Sequence, residues 1–298
     1  MDLPLDQLRT LTAVIDTGSF ESAARALRVT PSAVSQRIKS LEQQVGRVLV
    51  QRSKPARLTD SGLVVLKLAR QVQLLEHDTV AALNPAETAV TSVPLAINAD
   101  SLATWLLPAL AGLDGISFDL YLADQDHSAA LLRAGTVMAA VTSEPDPVQG
   151  CTVSHLGSMR YRAVASPGFA ARWMPHGPTV EALAVAPMLV FDRADSLQDR
   201  YLLARSGDVL GPPRHFIPAS TEFVTATALG LGWAMLPDAQ SAELLADGRL
   251  LLLDADTAVD VPLYWQQWSL DSPALESIAA AVARAAGAHL TSRARDEH

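Results

Sequence analysis

The chain has one cysteine, Cys151, among 298 residues. An intrachain disulfide framework and a thiolate zinc site are therefore both excluded. No apolar run reaches the roughly 18 residues of a membrane span. The opening MDLPLDQLRTL carries acids and no cleavable apolar core, so no signal peptide is expected. Enzyme signatures are equally scarce. None of the seven histidines falls in HExxH spacing, and no GxSxG elbow exists. Gly230 and Gly232 lack the third glycine and the preceding strand of a dinucleotide loop. His155, His176 and His215 are isolated along the chain, and no internal repeat is evident. These absences predict a cytoplasmic chain with no membrane segment, no metal, no cofactor and no enzymatic activity.

What is present is a chain of two characters. Hydrophobic residues make up 49 % of it, enough for a sizeable core, and the length suits two or three domains. The net charge of −9 hides an asymmetry. Residues 1–58 hold nine Lys/Arg against five Asp/Glu, a net of +4; residues 59–298 hold fourteen against twenty-seven, a net of −13. A basic head on an acidic body can bind phosphates locally while the body resists nonspecific contact with DNA.

The stretch Ser19–Gly46 organises the head. Ser19 can cap a short helix whose small and apolar positions are Phe20, Ala23, Ala24 and Leu27. Arg28 and Val29 make a turn. Thr30 caps a second helix with Pro31 at its first position, where a missing N–H costs nothing. Val34, Ile38 and Leu41 form a buried stripe on it. Ser32, Ser35, Gln36 and Lys39 fall mostly on the other face, with Arg37 beside them. Short donors at a helix start, followed by positive charge, suit a helix lying in a DNA major groove. Before the pair, Leu5, Leu8, Leu11 and Ile15 predict a supporting helix that Gly18 ends.

After Gly46, two short strands are predicted at 48–52 and 57–59 around the tip Ser53-Lys54-Pro55-Ala56. Arg52, Lys54 and Arg57 crowd this hairpin, as in a wing that holds phosphate and fixes register without reading sequence. Thr59 then caps a long helix to about Leu83. Val65, Leu68, Val72, Leu75, Thr79 and Ala82 recur in alternating threes and fours, a seam suited to pairing two chains. Residues 84–93, NPAETAVTSV, read as a linker.

From Pro94 strand and helix alternate, which predicts largely parallel sheets covered by helices. Two such blocks joined by crossovers, near 160–166 and 261–268, make a cleft between them. Ligands sit beyond the carboxyl ends of such strands, against helix N-termini. The predicted wall residues are Asp100, Ser101, Thr104, Asp124, Ser143, Glu144, Asp192, Thr221 and Glu222. Trp105 either closes the pocket and stacks on a cation, or is a core residue.

The Ser19–Gly46 motif, the LTDSG entry at 58–62 and ALGLGWAMLP at 228–237 resemble the LysR-type transcriptional regulators. Within them, AINADSLATWLLPAL at 96–110 and PASTEFVTA at 218–226 resemble the ArgP/LysG subgroup. The resemblance implies an N-terminal winged helix-turn-helix with a linker helix, and a C-terminal α/β, two-lobed effector domain like a periplasmic binding protein. The expected division is 1–58 for the DNA-binding head, 59–92 for the linker and hinge, and 93–290 for the effector domain. Its first lobe is about 93–163 and 268–290, its second about 164–267. The resemblance also implies double-stranded DNA as partner, a homodimer or homotetramer, contact with RNA polymerase, and a lysine- or arginine-like effector controlling an exporter gene. The alternative is an effector-independent DNA-structuring or replication-origin-binding protein. A free basic amino acid needs donors for its carboxylate, which Ser101, Thr104 and the helix start can supply, and carboxylates for its cations.

Overall fold

The computed structural model describes residues 3–51, 53–83, 90–123 and 125–291, with the side chains of residues 125 and 126 excepted. Arg52, Asp124, most of the expected linker (84–89) and the polar tail 292–298 lie outside the described residues.

Helices α1 (Leu5–Thr17), α2 (Phe20–Ala26) and α3 (Pro31–Val45) form the head. Gly18 and Gly46 end α1 and α3, each at φ 73°, a left-handed conformation open to glycine at no steric cost. Ser19 Oγ accepts the Ser22 N–H, and Thr30 Oγ1 accepts the Ala33 N–H, with Pro31 at the first position. Such a cap contributes about 1 kcal/mol to a helix. Arg28, at φ 55°, makes the turn between them. Leu8, Leu11 and Val14 of α1, Ala23 and Ala24 of α2, and Val34, Ile38 and Leu41 of α3 close one core. Val14 takes the inner place expected for Ile15, and Leu5 is exposed at the helix start.

The wing is the antiparallel pair β1 (Val50–Gln51) and β2 (Arg57–Leu58), shorter than the expected strands. Glu42 Oε1 ties it to α3 by accepting the N–H groups of Leu49 and Val50 at 2.8 and 3.2 Å. Helix α4 (Asp60–Leu83) starts beside it, capped by Thr59 Oγ1 from the Gly62 N–H at 3.1 Å. The approach is so close that a Cβ on Gly62 would lie 2.2 Å from the Leu49 carbonyl oxygen.

The effector domain begins with β3 (Thr91–Ile97) and a continuous helical run: α5 (Ala99–Ser101), a π-helical turn Leu102–Leu106, and α6 (Leu107–Ala111). Pro108 has no N–H to return to the preceding turn, which accounts for the loosened π geometry there. Next come β4 (Ile116–Leu122), α7 (Gln125–Ala134) and β5 (Ala139–Thr142). β3 lies between β4 and β5, parallel to both.

Strand β6 (Cys151–Ala165) leaves the first lobe for the second, which holds α8 (Pro167–Trp173), α9 (Val180–Leu183), β7 (Met188–Val190), α10 (Leu197–Ser206), β8 (Arg214–Phe216), α11 (Ser220–Ala228), β9 (Ala234–Pro237), α12 (Asp238–Ala246) and β10 (Leu251–Leu252). Strand β11 (Ala258–Trp268) leads back, and α13 (Pro273–His289) packs on the first lobe. β6 and β11 pair antiparallel from Ala258↔Arg162 to Trp268↔Cys151. The crossovers are thus one long ribbon at the centre of a seven-stranded sheet ordered β10-β6-β11-β5-β3-β4, with β9 also on β6. The expected crossover strands correspond to the C-terminal portions of β6 and β11, and each strand begins earlier than expected. Gly157, at φ 133° inside β6, hides the longer strand in the sequence; the position is also crowded, since an added Cβ would lie 2.8 Å from Leu290 Cβ.

No described helix is long and apolar enough to cross a membrane.

Candidate functional site

Two regions carry the predicted residues. On the head, the start and outer face of α3 are open. Thr30, Pro31, Ser32, Gln36 and Lys39 are exposed, and Ser35 is partly so. Thr30 Oγ1 and Ser32 Oγ lie 2.9 Å apart, so these hydroxyls cluster at the positive end of the helix dipole. Lys54 and Arg57 are exposed on the wing. Ser19 is committed to its cap. Arg37 differs from the rest: its Nε lies 3.2 Å from Asp6 Oδ2 of α1, so its charge is partly spent within the head. Arg52 cannot be placed, as it lies outside the described residues.

The second region is the junction of the lobes, at the carboxyl ends of β3 and β5. Asp100 stands at its centre. Its Oδ2 accepts a hydrogen bond from the Tyr161 hydroxyl at 2.8 Å, and its Oδ1 accepts one from Ser220 Oγ at 2.7 Å. Gln240 Nε2 donates to Ser220 Oγ at 2.9 Å. Asp100 belongs to the first lobe, Ser220 and Gln240 to the second, and Tyr161 to the shared ribbon. Burial holds the Asp100 carboxyl above the usual carboxylate range, against the two hydroxyl donors, and the nearby Asp195 carboxylate adds to the rise. Burial and the Asp100 charge together hold Tyr161 well above its ordinary value, so it is a donor here.

Beside this cluster two hydroxyls are buried without a hydrogen-bond partner, Ser101 Oγ and Ser143 Oγ. They follow neighbouring parallel strands, β3 and β5. A buried hydroxyl left unpaired is costly, so a polar ligand reaching either one gains a bond that water does not supply. Thr104 Oγ1 is turned back to the Asp100 carbonyl at 2.6 Å. Glu144 is partly exposed, with its backbone N–H held by Thr142 Oγ1 at 3.1 Å.

Other expected wall residues fall elsewhere. Trp105 is 1 % exposed and packs in the hydrophobic core, so it does not cap an open pocket. The helix carrying it must bury its apolar face on the sheet, and the indole lies on that face. Thr221 and Glu222 are exposed, one and two residues past the Ser220 that does reach the junction. Asp192 Oδ1 accepts the N–H groups of Ala194 and Asp195 at 2.8 and 3.0 Å, which shapes its own loop. Asp124 lies outside the described residues. Tyr161, Ser220 and Gln240 escaped the sequence reading. Ser220 alone left a signal, as the hydroxyl residue opening the helix in PASTEFVTA.

The seam expected on α4 is divided. Val65 is 7 % exposed and sits in the head's own core, whereas Leu68 and Leu75 are 40 % and 41 % exposed. The first turns of α4 pack on α1, and this rotates Val64 outward in place of Val65.

A winged helix-turn-helix joined by one long helix to a two-lobed domain defines a ligand-responsive DNA-binding regulator. The chain belongs to the LysR family. The family's bacterial regulatory helix-turn-helix model matches residues 5–63, and the LysR substrate binding domain matches 90–287. The chain is 48 % identical over 281 residues to the HTH-type transcriptional regulator LysG of Mycobacterium tuberculosis strain H37Rv, covering 94 % of this chain and 92 % of that protein. It is 44 % identical to the lysine export transcriptional regulatory protein LysG of Corynebacterium glutamicum, covering 94 % and 97 %. Among solved structures, ArgP from Mycobacterium tuberculosis superposes with a TM-score of 0.85 at 47 % identity, covering 96 % of this chain and 98 % of that one. Full-length LysG from Corynebacterium glutamicum with bound effector Arg gives 0.75 at 41 % identity, covering 97 % and 99 %. These relatives are transcriptional regulators, not enzymes.

Proposed function

We propose that this chain binds promoter DNA as a dimer or tetramer, senses lysine, arginine or a similar basic amino acid between its lobes, and controls an amino-acid exporter gene. It works in the cytoplasm, where both DNA and the free amino acid are met. α3 reads base edges through Ser32, Ser35, Gln36 and Lys39, while Lys54 and Arg57 on the wing hold phosphate, with Arg52 next to them in sequence contributing charge. Two chains pair along the exposed side of α4 through Leu68, Val72 and Leu75.

The observation that carries the ligand class is the charge at the lobe junction. Asp100 is buried there between the Tyr161 hydroxyl of the ribbon and Ser220 Oγ of the second lobe, and the Asp195 carboxylate of the second lobe adds to the rise in its pKa. A buried carboxylate with a second negative charge near it favours a cation beside it. Ser101 Oγ, Ser143 Oγ and the start of the helical run at Ala99 offer donors on the same side for an α-carboxylate. The effector bound in the solved relative, arginine, has this combination of charges. Binding favours one lobe arrangement to the extent that it is tighter there, and the heads on DNA follow. The relatives' names lend nothing to the effector-independent alternative.

Isothermal calorimetry on the full chain tests this. L-arginine or L-lysine is expected to bind, while citrulline and norleucine, which keep the shape and lose the side-chain charge, do not. Equal affinity for the neutral pair would overturn the assignment.

A further inference from the structure

Arg70, in the middle of α4, is 3 % exposed. A guanidinium is costly to bury unless its donors are taken up. Here they are taken up by two different bodies. Nη1 donates to the backbone carbonyls of Gly135, at 3.1 Å, and Thr136, both in the effector domain. Nη2 donates to Asp16 Oδ1 at 2.6 Å, in the last turn of α1 of the head. One side chain on the connecting helix therefore grips both the DNA-reading head and the first lobe.

The surroundings make this grip specific in position. The carbonyls it holds follow α7, at the negative end of that helix, where a cation is favoured. Gly135, at φ 72°, lies flat on α4: an added Cβ would stand 2.6 Å from Lys67 Cβ and 2.7 Å from Lys67 Cα. Lys67 Nζ in turn lies 6.0 Å from the Trp268 ring centroid, where β11 ends. On the other side, Asp16 belongs to α1, which packs on α3 through Leu8, Leu11 and Val14 and is tied to it by Asp6–Arg37. A displacement of the first lobe thus has an unbroken packed route to the recognition helix.

We propose that Arg70, through Asp16 and the carbonyls of Gly135 and Thr136, is a positioning residue that sets the angle of the head on the effector domain. The ligand's effect on operator binding passes through it. The second half of this statement rests on the ligand-sensing reading above; the first half does not. A contiguous path becomes a coupling route only when breaking it changes coupling, so the test measures coupling directly.

The full-length chain is compared with its Arg70→Met, Arg70→Lys and Asp16→Asn variants. Calorimetry with L-arginine is expected to give affinities within about twofold of one another, as none of these residues lies at the lobe junction. The ratio of operator affinity with and without L-arginine is expected to fall to near one in Arg70→Met. Arg70→Lys, which keeps the charge but cannot reach all three oxygens, should fall between. A readout independent of any ligand is the distance between spin labels on exposed Gln44 of the head and exposed Asp114 of the first lobe, in a Cys151→Ser background diluted with unlabelled chain. A single narrow distribution is expected for the parent and a broadened or displaced one for Arg70→Met. An unchanged distribution in Arg70→Met overturns the positioning role whatever the ligand does. A changed distribution with an undiminished affinity ratio overturns the coupling role alone.

Discussion

Asp100 Oδ1 in the first lobe and Ser220 Oγ in the second are joined by a hydrogen bond of 2.7 Å, which makes the lobe junction a polar contact built around one carboxylate. That carboxylate is held above its ordinary pKa by burial. For an acid so placed, the stabilising contribution is present below the ordinary value of 3.8 and is lost as pH rises through the folded-state value. Ionised Asp100 therefore costs stability at neutral pH. Asp100→Asn is expected to melt at or above the parent temperature near neutrality, with the difference shrinking as pH falls through the raised pKa. Affinity for L-arginine should drop by about tenfold or more, roughly 1.4 kcal/mol. Thermal melts across pH and calorimetry check both halves.

Base reading and phosphate holding separate on the head. Gln36→Ala is expected to narrow the gap between cognate and scrambled sites by about 1–3 kcal/mol. Lys54→Ala and Arg57→Ala should weaken all sites alike and flatten the salt dependence by about 0.9 for each phosphate left without its cation. Binding isotherms at several salt concentrations distinguish the two patterns.

Arg37 is partly restrained by Asp6 at 3.2 Å. Asp6→Asn releases it toward DNA. The expected result is tighter binding at low salt and a steeper salt slope, by up to about 0.9. An unchanged slope would place Arg37 away from the phosphates.

On α4, neighbouring positions play unlike parts. Leu75→Asp puts a charge on the exposed side and is expected to shift the chain toward monomers in sedimentation, with little loss of fold. Val65→Ala removes methyls from the head core and should lower stability by about 1–2 kcal/mol while leaving assembly intact.

These contrasts show what the sequence could and could not yield. The head was legible because its signals are local: Ser19, Thr30 and Thr59 cap the helices that follow them, Pro31 opens one, and Gly18 and Gly46 close two. Asp100 and Ser101 are singled out in the sequence by the rule that ligands meet strand ends. Tyr161 and Gln240 were not, since they reach Asp100 and Ser220 only after the ribbon and α12 are assembled. Trp105 could be read either way on an amphipathic helix, and only packing decides it. The heptad rule placed Val65 outward, because nothing local announces that α4 begins against the head.

The most direct measurement is the affinity of the full chain for a DNA fragment enriched from a random library, titrated at fixed salt with and without L-arginine or L-lysine. A shift of about fivefold or more in affinity, or an altered footprint, is expected with a basic amino acid and not with citrulline. Sequence-specific binding that is indifferent to every basic amino acid, in affinity and in footprint, would contradict it.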